Sequence, residues 1–108
     1  MIPTARVGDS REFRCRAELR DGLVPVTIDG ATVEDSDGTD LAVVVSLRIY
    51  VNRVLVLTPT PLYNSDTGFW YAQVILPRAG DLTAVWKFDV GGFIRRAYDT
   101  LKVEQGLT

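Results

Sequence analysis

The sequence predicts an all-β domain, a two-sheet antiparallel sandwich of about seven short strands. Three observations carry this. Apolar and polar residues alternate with a period of two through most of the chain, turn-forming residues recur at roughly 8 to 12 residue intervals, and no stretch has the 3.6-residue spacing of an amphipathic helix. The clearest stretch is Asp66 to Phe88, two alternating runs joined by Pro77-Arg78-Ala79-Gly80. It reads as a β-hairpin carrying both tryptophans. Trp70, Ala72, Val74 and Leu76 share one face of the first run, and Leu82, Ala84, Trp86 and Phe88 share one face of the second, so these side chains should form the floor of the core.

The other elements follow in chain order. Residues 1–10 contain Pro3, Gly8 and Asp9 and read as an extended lead-in arm, of the kind that docks on a neighbour. The sandwich is expected over 11–104, with a frayed tail at 105–108. Arg11 to Arg20 alternates strictly, placing Phe13, Cys15, Ala17 and Leu19 inward and Glu12, Arg14, Arg16 and Glu18 outward. Asp21-Gly22 closes this strand, and Val24, Val26 and Ile28 begin another, confined by Pro25 to an edge or a bulge. Leu41 to Tyr50 is rich in β-branched residues and should be a central strand. Asn52-Arg53 reads as a tight turn and Val54 to Thr58 as a further strand, ended by Pro59 and Pro61, which have no N–H to give a ladder. Tyr63 to Asp66 reads as a surface loop. Gly91-Gly92 reverses the chain before a last strand in which Leu101 and Val103 point inward. The same parity turns Asp99 inward, where an unpaired charge is costly, so a sheet end is its expected place.

Composition bounds the chemistry. The chain has 108 residues, enough for one core, with a net charge of -2 from 12 basic and 14 acidic residues. No global field favours nucleic acid or an anionic membrane. The basic residues are ten Arg and two Lys, a bias suited to planar, partly desolvated contacts. There is one cysteine and no histidine, which excludes an intramolecular disulfide, a Cys/His zinc site and any imidazole base. No segment approaches the roughly 18 apolar residues of a membrane span, and the first residues lack the apolar core of a signal peptide, so a cytosolic origin is expected.

Catalytic material is then limited to carboxylates. Asp35, Asp37, Asp40 and Asp66 sit among turn formers and read as solvated turn residues. Asp35 to Asp40 has the acidic spacing of a calcium loop but lacks the downstream helical glutamate, so no metal is assigned. Cys15 reads as a small buried hydrophobe. Arg95 and Arg96 with Arg11, Arg14 and Arg16 could make a basic patch, but Glu12 and Glu18 interleave and cancel much of its field. Neither catalysis nor a cofactor is expected. The predicted core comprises Phe13, Cys15, Trp70, Val74, Leu76, Leu82, Trp86 and Phe88. The outward parity of the expected hairpin holds Phe69, Tyr71, Ile75 and Val85 beside Gln73, Thr83 and Lys87, and apolar anchors ringed by polar groups are the make-up of a protein interface.

The order of signals is Val7-Gly8-Asp9, Asp21-Gly22, Asp35-Ser36-Asp37-Gly38, Asp66-Thr67-Gly68-Phe69-Trp70-Tyr71-Ala72, Leu76-Pro77-Arg78-Ala79-Gly80 and Trp86. It resembles the immunoglobulin-like β-sandwich domains of tailed-bacteriophage structural proteins, those of head, neck and baseplate. The resemblance covers nearly the whole chain, though these motifs mark turns and core aromatics and not a site. It implies a non-enzymatic virion component, such as a head decoration or head–tail connector, made in the bacterial cytoplasm. Its partners would be other virion structural proteins, without nucleic acid or membrane, and a homo-oligomer within the particle is one arrangement open to it. The competing reading is a carbohydrate-binding baseplate or surface adhesin that uses aromatics such as Tyr63 and Tyr71.

Overall fold

Alternation with a period of two buries one side of each run, and two such sides close on each other in the folded chain. The computed structural model describes residues 3–16, 24–25, 32–34 and 38–105. Among these are ten strands: β1 (Thr4–Arg6), β2 (Ser10–Arg16), β3 (Val24–Pro25), β4 (Thr32–Glu34), β5 (Asp40–Val51), β6 (Val54–Leu57), β7 (Leu62–Asn64), β8 (Phe69–Ile75), β9 (Gly80–Val90) and β10 (Phe93–Glu104). No helix is present among the described residues. The larger sheet runs β1-β10-β9-β5-β4-β3 with β6 also paired to β5, and the smaller runs β2-β8-β7. The protein is an all-β sandwich. The strand number exceeds the expected seven or so because β1, β3, β4 and β7 span only two or three residues each, too short to leave a period in the sequence.

The core is made of inward residues from both sheets. Phe13, Trp70, Ala72 and Val74 come from the smaller sheet, and Leu47, Ile49, Val51, Leu82, Ala84, Trp86, Phe88, Leu101 and Val103 from the larger, all buried. No polar or charged residue is buried among the described residues. Trp86 lies between Leu47 and Ala97 in the ladder and stacks on Phe88 at 6.1 Å, while Trp70 meets Tyr63 at 5.0 Å. β5 is central as expected, with β9 on one side and β4 and β6 on the other. The Asn52-Arg53 turn is also present, both residues having positive φ, 50° and 68°.

The expected hairpin is not. β8 pairs with β2 and β7, whereas β9 pairs with β10 and β5, so the two tryptophan strands belong to opposite sheets. Leu76-Pro77-Arg78-Ala79 carries the chain across the sandwich; four extended residues can span roughly 13 Å, enough for the ~10 Å between stacked sheets. Leu76 is buried and tied to the β1–β2 corner, its N–H donating to Asp9 O and its carbonyl accepting from Gly8 N, each at 2.9 Å. Alternation reports which face of a strand is buried and not which strand lies beside it.

Three further expectations change. The lead-in arm docks on its own chain, because β1 pairs in parallel with Lys102 to Glu104 of β10, and Ala5 and Val7 pack on the core. Tyr63 is in β7, half-buried against Trp70, and not in a loop. Asp99 shares the inward parity of buried Ala84 yet is exposed, because β10 has no described neighbour on its far side there and the flank is open. Ala17, Leu19, Asp21-Gly22, Val26, Ile28, Asp35-Ser36-Asp37 and the end of the tail lie outside the described residues.

Candidate interaction surfaces

Each sheet turns its other side outward, and these two outer faces differ in chemistry. On the smaller sheet, register places Arg16 beside Phe69 and Asn64, Arg14 beside Tyr71 and Leu62, Glu12 beside Gln73, and Ser10 beside Ile75. Phe69 and Tyr71 are half-buried, whereas Ile75 and Leu62 are 67% and 57% exposed. The Arg14 and Arg16 guanidinium carbons lie 5.4 and 4.8 Å from the centre of the Phe69 ring, where the ring quadrupole attracts cations. Arg16 is held there by a 2.7 Å hydrogen bond that its Nη2 donates to Thr67 O. Gln73 Nε2 donates to Ser10 Oγ at 2.8 Å further along.

Of the four residues expected to share an interface, Phe69, Tyr71 and Ile75 thus lie together on this face. Val85 does not join them. It belongs to β9, on the outer side of the opposite sheet, because the chain crosses the core between Ile75 and Gly80. Leu62 takes the fourth place; its three-residue strand gave no alternation by which to find it.

The outer face of the larger sheet forms successive rows across β5, β9 and β10. These are Val44–Asp89–Ile94, Ser46–Lys87–Arg96, Arg48–Val85–Tyr98 and Tyr50–Thr83–Thr100. Residues from the middle rows line a shallow concavity of about 290 Å³ around Val85. Tyr98 is 67% exposed and Tyr50 half-buried. Arg48, Lys87 and Arg96 form no ion pair with any described residue. Asp89, the nearest acid in the rows, accepts a 3.0 Å hydrogen bond from Gly92 N. The signal for this face is a repeat, Arg48-Ile49-Tyr50 and Arg96-Ala97-Tyr98, on two strands that are both antiparallel to β9 and therefore parallel to each other.

The predicted core residues Phe13, Trp70, Val74, Leu76, Leu82, Trp86 and Phe88 are buried, and Cys15 is only partly so. Cys15 lies at the open flank between β2 and β10, where it lines a cavity of about 390 Å³ with Arg16, Phe88, Arg95, Arg96 and Ala97. Arg95 and Arg96 diverge there, since alternation sends Arg95 to the inner side and Arg96 to the outer. Arg14 and Arg16 of β2 and Arg96 accordingly fall on opposite faces of the molecule, while Arg11 shares the inward parity of Phe13. Among the described residues no group of three or more His, Cys, Asp or Glu is placed to hold a metal ion, and Asp40 and Asp66 are exposed. No family model, curated protein or solved structure matches this chain.

Proposed function

We propose that this chain is a non-enzymatic structural protein of a tailed-bacteriophage particle, acting through protein–protein contacts at the head or the head–tail junction. The observation that carries the reading is the small-sheet face, where Leu62 and Ile75 stand open and Tyr71 is half-buried, beside Arg14 and Glu12. Aromatic and aliphatic anchors with a polar surround are what protein interfaces use. The partners are other virion structural proteins, not nucleic acid or a membrane, and the protein is made in the bacterial cytoplasm.

An immunoglobulin-like fold is part of the same proposal. Assigning β2, β5, β7, β8, β9 and β10 to positions B, C, D, E, F and G gives sheets B-E-D and C-F-G, and β6 extends the second as C′ does. The short ladders β3 and β4 then belong to an insertion between B and C. The chain departs from antibody domains in having one cysteine, on β2, and therefore no inter-sheet disulfide.

The test is incorporation. Tyr71→Ser with Ile75→Ser should change stability by about 0.5 kcal/mol each or less, as surface substitutions do, while lowering the amount of protein in purified particles. Normal incorporation of the double variant would remove this face from the assembly. Saturable binding of the isolated protein on a glycan array, with no incorporation into particles, would favour the adhesin instead.

A further inference from the structure

From the outer face of the larger sheet we infer a second docking surface, which takes an acidic protein surface presenting two or more carboxylates. Lys87 and Arg96 are direct cross-strand partners, and Arg48 lies one row away beside Val85. With strands about 4.8 Å apart and alternate residues about 6.8 Å apart, the three cations fit within roughly 12 Å of sheet. Like charges this close repel one another unless an anion lies between them, and no described carboxylate pairs with any of them. Tyr98 and Tyr50 flank the triangle, half-buried Val85 sits in the middle, and the surface is shallow. Tyr and Arg around an apolar centre are the residue types that dominate protein interfaces. The cations choose the partner's sign.

A nucleic-acid strand would need a basic track reaching beyond the patch. Here Asp89 and Asp81 lie along β9 on either side of Val85 and Lys87, and the chain as a whole is acidic, with a net charge of -2. A compact acidic patch on a folded protein fits that limited footprint. The partner class builds on the reading of this chain as an assembly component, whereas the charge chemistry of the face does not depend on it. The two outer faces of the sandwich would then grip different neighbours, one through apolar groups and one through charge.

The experiment is an amide chemical-shift titration of the whole chain with hexaglutamate, set beside hexalysine and a twelve-residue oligothymidylate. Hexaglutamate should produce saturable shifts centred on Ser46 to Tyr50, Thr83 to Lys87 and Arg96 to Tyr98, weakening several-fold, about fivefold, between low and moderate salt as charge screening requires. Arg48→Glu with Arg96→Glu should weaken binding by about tenfold or more. Arg48→Gln with Arg96→Gln serves the same purpose if the charge reversal disturbs folding, and Arg78→Glu, in the crossover, should leave binding unchanged. Shifts that map to the arginines of β2, or no saturation at millimolar peptide, would overturn the proposal. Tighter binding of the oligothymidylate to this face would overturn it in favour of nucleic acid. Peptide binding by a protein absent from particles would sink the assembly reading alone, and loss of peptide binding with normal incorporation would sink this face alone.

Discussion

Asn52 lies directly over Gly80: a Cβ at Gly80 would fall 2.6 Å from Asn52 Nδ2. The same side chain accepts a 3.0 Å hydrogen bond through Oδ1 from Asp81 N, and Asn52 N donates to Asp81 O at 2.9 Å. The β5–β6 turn is thereby clipped to the point where the chain, having crossed from the smaller sheet, enters the larger one. Gly80 also has φ 139°, a conformation that side chains disfavour.

Gly80→Ala should therefore destabilise the protein by about 2–3 kcal/mol, from backbone strain and the collision with Asn52 together. In urea unfolding, adding Asn52→Ala to this variant should cost less than Asn52→Ala costs alone, because the collision is relieved. Strict additivity would show that the contact is not the source of the loss.

Arg53 occupies the left-handed region at φ 68°, at the second central position of a two-residue hairpin turn. A side-chain-bearing residue there costs about 1 kcal/mol relative to glycine. Arg53→Gly should accordingly raise stability by about that amount, read as a higher urea midpoint at unchanged slope. A lower midpoint would mean that the Arg53 side chain makes contacts that outweigh its strain.

Trp86 is 1% exposed at the centre of the larger sheet, so Trp86→Ala should cost about 3–5 kcal/mol. That is a large share of the roughly 5–15 kcal/mol available to a domain. Trp70, 9% exposed, should fall near the low end, about 3 kcal/mol, since Tyr63 can settle into part of the space. A loss below about 1 kcal/mol for Trp86 in urea melts would contradict its place in the core.

Arg16 joins the β7–β8 turn to β2 through Thr67 O and covers the Phe69 ring. Arg16→Ala should cost about 1 kcal/mol and Arg14→Ala, which has the longer ring contact alone, about 0.5 kcal/mol. Thermal melts of the two variants check the order. Equal losses would remove the Thr67 hydrogen bond as the distinguishing element.

The inward residues of β2, β5, β8 and β9 were legible in the sequence because burial on one side of a strand imprints a period of two on the chain itself. The Asn52-Arg53 and Gly91-Gly92 reversals were legible for a similar reason, since a tight turn draws on a small set of residues within a few positions. Pairing was not. Trp70 and Trp86 carry the same alternation whether their strands lie side by side or face each other across the core, and only the crossing at Leu76 to Ala79 separates the two arrangements. That crossing moved Val85 away from Phe69, Tyr71 and Ile75. The same larger sheet brought Arg48, Lys87 and Arg96 together from three strands, and it paired β1 with the far end of the chain. Lys87 and Arg96 are close in sequence, but Arg48 and its partner Val85 are 37 positions apart and Thr4 and Lys102 are 98. Local periodicity holds no record of contacts at that range, which arise only when the two apolar faces close on one another.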